Sequence, residues 1–227
     1  MDQRIKSFGA GARAVFPLLV GVFPFGLIYG TLAINSGLSP AAAQMMSSIV
    51  FAGSSQFIAA QLIHDAAPGI VIVLTIAIVN LRHMLYSVSL APYLKDLSPR
   101  WKGLLAYLLT DEAYATTVIH FEREGLTPTS HWFFLGAGLS LWSTWQVSSA
   151  VGILLGTAIP AAWPLDFALP LTFIAMVVPV LTDRSVIASA LSAGLVALLA
   201  YNLPFKLGLI LAAIVGIFIG VLLERRK

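Results

Sequence analysis

Three short clusters of polar residues lie inside long apolar stretches of this sequence, and each holds groups that can bind a charged ligand or a proton. The first cluster spans residues 51–57 and places Gly53, Ser54, Ser55 and Gln56 between phenylalanines. Glycine and serine weaken a helix, so we expect a broken helix here with free carbonyls and hydroxyls. In a bilayer, unwound backbone survives only where it lines a cavity or is buried in protein. Cavity lining and serine-mediated helix packing both stay open for this cluster.

The second cluster is Asn80-Leu81-Arg82-His83, which offers an amide, a guanidinium and an imidazole within four residues. Asn80, His83 and Ser87 fall at i, i+3 and i+7 and therefore share one helix face. The guanidinium of Arg82 can bind an anionic ligand inside the membrane, or its long side chain can extend to the lipid headgroups. The asparagine beside it favours the binding role.

The third cluster is Thr110-Asp111-Glu112, with two adjacent carboxylates in an apolar setting. Neighbouring side chains project about 100° apart on a helix, so both acids cannot face lipid at low cost. Burial and a nearby cation act in opposite directions on carboxyl ionisation, so such a group can exchange protons near physiological pH. A static salt bridge from Arg82 to Asp111 or Glu112 is the alternative, and the two roles do not exclude each other.

The composition around these clusters excludes an ordinary soluble domain. Of the 227 residues, 59% are hydrophobic and 10% are charged, the mean hydropathy is +0.91, and ordinary globular chains are about 25% charged. Between Ala14 and Leu94 the only formal charges are Asp65 and Arg82. Such stretches hold several spans of about 20 residues, and they are much longer than barrel strands. The sequence therefore predicts an all-α integral membrane protein.

The clusters lie on eight predicted transmembrane helices, or on seven if one segment is re-entrant. These helices form one polytopic domain over residues 1–227. The helix boundaries fall at glycine, proline and aspartate residues, which are typical of loops. The predicted spans are 14–34, 41–64, 69–91, 101–120, 131–158, 166–183, 185–201 and 204–223.

The distribution of basic residues predicts that both termini lie in the cytoplasm, since eight Lys and Arg residues then fall on the inner side and four on the outer side. The four outer residues are Lys95, Arg100, Lys102 and Lys206. The basic residues of the loop around Lys95 do not fit this arrangement, which places them on the outer side. This loop becomes cytoplasmic if segment 41–64 does not span the membrane.

Two similar linkers predict an internal repeat. Gly37-Leu38-Ser39-Pro40 follows the first span, and Gly125-Leu126-Thr127-Pro128 follows the fourth, 88 residues later. Each introduces a helix rich in small residues that carries a glutamine, Gln56 or Gln146. Three helices per unit would invert the second unit in the membrane, as in many secondary transporters. The predicted 3+3 inverted units are 14–91 and 101–183, followed by extra helices in 185–223.

Three Gly-x-x-x-Gly pairs predict close helix contacts, because this spacing removes side-chain bulk from one helix face. The pairs are Gly26/Gly30, Gly152/Gly156 and Gly216/Gly220. Packing within the chain is the favoured interpretation, and contact of the last helix with another subunit is the alternative.

Four motifs in order resemble the AzlC family, the large subunits of bacterial branched-chain amino acid exporters. The resemblance covers residues 8 to about 160, the motif residues show no departure from the family pattern, and residues 160–227 are less diagnostic. The motifs are Phe23-Pro24-Phe25-Gly26, Phe51-Ala52-Gly53-Ser54-Ser55-Gln56-Phe57, Asn80-Leu81-Arg82-His83 and Thr110-Asp111-Glu112.

The resemblance implies a secondary exporter of valine, leucine, isoleucine and sometimes methionine, exchanged for protons across the bacterial inner membrane. It also implies a small hydrophobic AzlD-type subunit as partner. The residues fit this chemistry, because a zwitterion needs a cation for its carboxylate and an acid for its ammonium. The expected substrate-binding residues are Phe25, Gly26, Gly53, Ser54, Ser55, Gln56, Asn80 and Arg82, and the expected proton-coupling residues are Asp111, Glu112 and His83.

The nearest alternative is a membrane channel or another small-molecule permease with a polar-lined pore. An intramembrane enzyme is disfavoured because no Gly-x-Ser-x-Gly or His-Glu-x-x-His pattern occurs. A purely structural subunit is also disfavoured, because burying ionisable groups in the membrane costs free energy that such a role does not require. The chain has no cysteine, and its four histidines lack ligand spacing, so we expect neither a metal nor another cofactor. Nucleic acid is not an expected partner, because no aromatic-interleaved basic patch occurs.

Overall fold

The computed structural model describes residues 2–156, 181, 183–203 and 207–224, and every regular element within them is an α-helix. The all-α prediction is confirmed for this part of the chain, whereas most of the predicted span 166–183 lies outside it. The helices are α1 Gln3–Asn35, α2 Pro40–Val50, α3 Gly53–His64, α4 Gly69–Val79, α5 Leu81–Leu94, α6 Pro99–Tyr107, α7 Asp111–Glu124, α8 Ser130–Gly156, α9 Arg184–Leu199 and α10 Leu207–Glu224.

Three of the predicted spans are each divided into two helices. The break expected in segment 41–64 lies between α2 and α3, where Phe51 adopts a left-handed conformation with φ of 37°. The second break is Asn80, which separates α4 from α5. The third covers residues 108–110 between α6 and α7, and Thr110 caps α7 by accepting a hydrogen bond from the Ala113 N–H. The first of these breaks was predicted, and the other two were not.

The described helices fall into two compact units. One lies within residues 1–60 and 79–161, and the other lies within 61–78 and 162–227. The first unit is built around α1 and α8, and it contains all three polar clusters. Its buried apolar core is formed mainly by α5 to α8 and includes Leu90, Leu105 and Phe134. A single domain for the whole chain stays a prediction.

Glycines let α1 and α8 come into backbone contact. A methyl group added at Gly30 would collide with the backbone of Ser149 and Ile153, and one added at Gly152 would collide with the Leu27 carbonyl. The Thr31 hydroxyl donates a hydrogen bond across the contact to the Gly152 carbonyl at 3.1 Å. The predicted close packing of these Gly-x-x-x-Gly pairs is therefore confirmed, and it occurs within the chain.

The second unit contains the hairpin of α9 and α10. Here a Cβ at Gly216 would lie 2.9 Å from the Ala193 Cβ. The Ser189 hydroxyl donates to the Gly216 carbonyl at 2.7 Å. The third glycine pair therefore packs against a neighbouring helix of the same chain, as the favoured interpretation expected.

Two described helical stretches are long and apolar enough to cross a membrane, Gln3–Asn35 and Gly69–Leu94. The two linkers with similar sequence also share a backbone feature, since Gly37 has φ of 89° and Gly125 has φ of 74°. Glycine tolerates this region without the steric cost that a side chain would bring. The inverted repeat itself stays a prediction.

Candidate functional site

The first turns of α3, α5 and α7 meet in the first unit, and they bring the three polar clusters together. Arg82 Nη1 lies 2.5 Å from Asp111 Oδ2 in a salt bridge. Its other terminal nitrogen, Nη2, donates to the Ser54 hydroxyl at 2.7 Å. The Ser55 hydroxyl donates to Asn80 Oδ1 at 2.6 Å. Residues up to 57 positions apart in sequence thus form one polar site at three helix breaks.

The position of the site at helix N-termini follows from the breaks. Each of the three helices begins there with backbone N–H groups that lack a partner within the helix. Helix N-termini carry a partial positive charge and therefore favour an anion. The carboxylate of Asp111, in the first turn of α7, supplies a negative charge at this N-terminus and also pairs with Arg82.

The salt bridge is partly buried and incompletely satisfied. The side chains of Arg82 and Asp111 are each 30% exposed. Arg82 Nε and Asp111 Oδ1 are buried and have no hydrogen-bond partner in the described part of the chain. A buried polar atom without a partner costs about 1–3 kcal/mol. Arg82 therefore keeps one unused donor, Nε, which the carboxylate of a ligand could satisfy.

The remaining titratable candidates lie beside the salt bridge. Glu112 follows Asp111 in the first turn of α7, and its side chain is half-buried. The His83 ring contacts Tyr86, with ring centroids 6.0 Å apart. Of the two acids that the sequence left open as partners of Arg82, the structure pairs it with Asp111.

An aromatic cluster packs around the segment that carries Ser54 and Ser55. The Phe25 and Phe57 ring centroids are 4.6 Å apart, and Trp145 of α8 lies 5.9 Å from Phe25. The Trp145 indole N–H donates to Oε1 of the fully buried Gln56 at 3.1 Å. A Cβ at Gly53 would lie 3.1 Å from both Phe25 and Trp145, so the glycine lets these rings cover the start of α3.

Gly26 lies elsewhere, against α8. A side chain there would collide with the Ser148 hydroxyl. Among the predicted site residues, Arg82 is hydrogen-bonded to Asp111 and Ser54, and the adjacent Ser55 is hydrogen-bonded to Asn80. Three others, Phe25, Gly53 and Gln56, belong to the aromatic cluster. His83 and Glu112 adjoin Arg82 and Asp111 in sequence, and Gly26 is a helix-packing position.

Two further polar residues, which the sequence reasoning did not assign to the site, satisfy the end of α2. Gln146 Nε2 donates to the Ser47 carbonyl at 3.1 Å. The Tyr107 hydroxyl donates to the Ser48 carbonyl at 2.5 Å. The last four carbonyls of a helix lack intrahelical partners, so the break at Phe51 requires such donors. Gln146 was singled out only as a repeat marker, and Tyr107 carried no local signal.

Replacing Gln146 with leucine is expected to destabilise the protein by about 1–3 kcal/mol, because the Ser47 carbonyl would lose its donor. Gln146 also accepts hydrogen bonds from Gln44 at 2.8 Å and Ser48 at 2.9 Å; the Gln44 amide would lose this acceptor, whereas the Ser48 hydroxyl would keep the Gln44 carbonyl at 3.1 Å. Thermal unfolding in detergent measures the change. The matched control is Gln61→Leu, since Gln61 is exposed. Equal unfolding temperatures for the two variants would contradict this role for Gln146.

Among the described residues, no three His, Asp or Glu side chains come together as metal ligands would. The hydrogen-bonded groups of the site are one salt bridge, two serine hydroxyls and one asparagine amide.

The sequence of the chain is similar to those of several known membrane proteins. No solved structure matches the chain at a significant level. An uncharacterized membrane protein of Archaeoglobus fulgidus is 32% identical over 92% of each chain. The inner membrane protein YgaZ of Escherichia coli is 27% identical over 74% of this chain and 70% of its own length. The branched-chain amino acid transport protein AzlC of Bacillus subtilis is 25% identical over 77% of this chain and 69% of its own.

The family model described as AzlC protein matches residues 17–159, a segment that includes every residue of the polar site. This match covers more than half of the chain, and the relatives are named as membrane proteins. The resemblance seen in the four motifs is thereby confirmed, and the chain belongs to the AzlC family.

Proposed function

We propose that this protein is the large subunit of a secondary active exporter of branched-chain amino acids, valine, leucine, isoleucine and also methionine, driven by proton antiport. The observation that carries the proposal is the salt bridge between Arg82 and Asp111, with Ser54 on Arg82, at the junction of three helix breaks. The name of the Bacillus subtilis relative supports the substrate class.

The site offers one group for each charge of an amino acid. The substrate carboxylate would bind Arg82 and the Ser54 hydroxyl, where helix N-termini add positive potential. The substrate ammonium would bind Asp111. Because these two side chains now bind each other, the substrate must open the salt bridge, and each charge then exchanges one partner for another. Such an exchange avoids leaving either buried charge unpaired, which costs several kcal/mol.

The aromatic cluster would provide the apolar wall for the aliphatic side chain. Phe25, Phe57 and Trp145 lie beside Gly53, the residue that precedes Ser54. Burial of apolar surface contributes about 25 cal/mol per Å², so a branched side chain of valine or leucine would bind more tightly than that of alanine. Phe51, at the left-handed turn, is available for the same wall.

Proton coupling follows if protonation of an acid and binding of the substrate ammonium compete. Protonated Asp111 would hold neither Arg82 nor the ammonium, so proton entry would release substrate. Glu112 and His83 lie beside Asp111 and would pass the proton to it. Alternating access would then consist of movement of the short half-helices about their breaks.

The membrane arrangement is part of the proposal. It comprises eight spans, or seven, with both termini in the cytoplasm, in the inner membrane of a bacterial cell. The 3+3 inverted repeat is supported by the shared linker sequences and the positive φ of Gly37 and Gly125. The proposed partner is a small hydrophobic AzlD-type subunit.

Uptake of labelled leucine into inverted membrane vesicles tests the proposal, with and without the small subunit and with and without an imposed proton gradient. We expect saturable, gradient-dependent uptake only when both subunits are present. A channel predicts downhill flux that neither saturates nor depends on pH, and that result would replace the exporter with the alternative function.

Neutralising both acids, Asp111→Asn with Glu112→Gln, is expected to abolish the gradient-dependent part of leucine uptake. The physical reason is that no carboxylate would remain at the salt bridge to exchange a proton. Inverted vesicles with and without the gradient provide the measurement. The control is Glu122→Gln, because Glu122 lies on the same helix but is exposed. Full coupling in the double variant would contradict the assignment of the proton-carrying residues.

A further inference from the structure

A recess in the first unit has a lining that shares no residue with the Arg82 site. It has a volume of about 250 Å³ and lies between α5, α6 and α8. Leu90, Leu105, Leu109 and Phe134 line its inner part, and each of them is at most 5% exposed. Water gains little in an apolar recess, because it finds few hydrogen-bond partners there. The recess is therefore suited to a hydrocarbon chain.

The outer rim of the recess opens to the surroundings of the protein. Ala91 of α5 and Ala106 of α6 line it and are exposed, and their small side chains leave the opening free. In a membrane protein the exposed surface of such helices faces lipid. A lipid acyl chain would reach the recess directly from the bilayer.

The mouth of the recess is positively charged. Lys102 lines it, and the Lys102 ammonium donates a hydrogen bond to the Lys95 carbonyl at 2.6 Å, which holds the amine at the end of α5. Residues 95–102 contain three basic side chains, Lys95, Arg100 and Lys102, against one acid, Asp96. All four are exposed. The charge at the mouth therefore complements an anionic headgroup.

Neighbouring aromatic residues indicate that this mouth lies at headgroup depth. The Trp101 ring contacts His131, with centroids 4.7 Å apart, and Trp132, with centroids 5.1 Å apart. Tryptophan is enriched at membrane–water interfaces, where its ring lies among the headgroups. The basic residues beside Trp101 therefore lie where they can reach phosphates, while the leucine-lined part of the recess lies deeper.

We propose that this recess binds an anionic phospholipid, with one acyl chain against the buried leucines and the phosphate at Lys102. Basic pockets between transmembrane helices recognise anionic headgroups in this way. The recess shares no lining residue with the proposed transport site, and the proposal does not depend on which substrate the protein moves. An amino acid substrate is a poor match, because the recess lining contains no carboxylate to hold an ammonium.

Native mass spectrometry of the full chain, purified in mild detergent with equal amounts of phosphatidylglycerol and phosphatidylcholine, tests this site. We expect the protein to retain phosphatidylglycerol preferentially. Lys102→Gln should lower its retention about fivefold, since one basic residue near a lipid surface contributes about 1 kcal/mol. Ala106→Phe, which fills the recess and leaves the charge in place, should lower it as well. The control Arg123→Gln removes an exposed arginine that does not line the recess and should change nothing.

Three results would overturn the proposal. The first is equal retention of the two lipids by the unmodified protein. The second is unchanged retention in Lys102→Gln, whose surface position leaves folding intact. The third is displacement of phosphatidylglycerol by inorganic phosphate at equal concentration, because binding would then need the headgroup alone. If Ala106→Phe does not fold, Ala91→Phe fills the same recess from α5 and replaces it.

Discussion

Leucine transport is expected to fall about 10- to 100-fold when Arg82 is replaced with glutamine or Asp111 with asparagine. Hydrogen bonds to charged groups contribute about 1.5–3 kcal/mol each, and each variant loses one such contact to the substrate. Each also leaves the opposite charge of the salt bridge without its partner, so the site becomes charged and holds one end of a zwitterion poorly. Saturable uptake by reconstituted vesicles measures the loss.

Two comparisons separate this effect from a loss of folding. Arg82→Lys keeps the charge but cannot contact Asp111 and Ser54 with two nitrogens of a planar group, so intermediate transport is expected. The double variant, Arg82→Gln with Asp111→Asn, removes both charges and should fold at least as well as either single variant while remaining inactive. Recovery of transport in the double variant would show that the salt bridge is only structural.

A clear loss of stability is expected when the contact between α1 and α8 is overpacked. Gly30→Ala would drive a methyl group into the backbone of Ser149 and Ile153, which cannot move aside as a side-chain end can. Overpacking of this kind costs about 1–3 kcal/mol. Gly152→Ala should behave in the same way, because its methyl group would meet the Leu27 carbonyl. The unfolding temperature in detergent is the measurement.

Gly21→Ala is the matched control for this prediction. Gly21 lies in α1, and a methyl group there would meet nothing within 4 Å. Alanine is preferred over glycine in a helix by about 0.8–1.0 kcal/mol, so this variant should be as stable as the parent or more so. If Gly30→Ala and Gly21→Ala unfold at the same temperature, the close contact of α1 and α8 is wrong.

Much of the polar site could be predicted from sequence, because a bilayer penalises polar groups, so those found inside apolar stretches are functional candidates. Arg82, Asp111 and Ser54 stood out for this reason, and the structure joins them. The choice of Asp111 over Glu112 could not be made, because both acids lie in the first turn of one helix and their directions depend on where α7 begins.

The two unexpected helix breaks show that hydropathy alone does not reveal where a predicted span is interrupted. The apolar run of 69–91 predicts one helix, and the sequence also predicts one helix over 101–120, although α5 begins at Leu81 and α7 begins at Asp111. A signal for the second of these was present, since a threonine followed by acids in the next turn is typical of a helix N-terminus. Asn80 gave a weaker signal, and its partner Ser55 is 25 residues away.

The donors that satisfy the end of α2 could not be found locally. Gln146 and Tyr107 contact carbonyls that are 99 and 59 residues distant in sequence. Nothing in the residues around either side chain indicates these contacts, which arise only when α2, α6 and α8 are packed together.

Gly26 is a motif residue whose place in a family motif suggested contact with a ligand. The structure places it against Ser148 of α8.

The central claim is that Arg82 and Asp111 each hold one charge of a branched-chain amino acid. Competition against labelled leucine uptake by two analogues tests it most directly. Leucinol lacks the carboxylate, and isocaproate lacks the ammonium. We predict that each analogue competes at least about tenfold more weakly than unlabelled leucine, since each loses one charge-assisted contact. Competition by either analogue as strong as that of leucine would contradict recognition of both charges by this pair of residues.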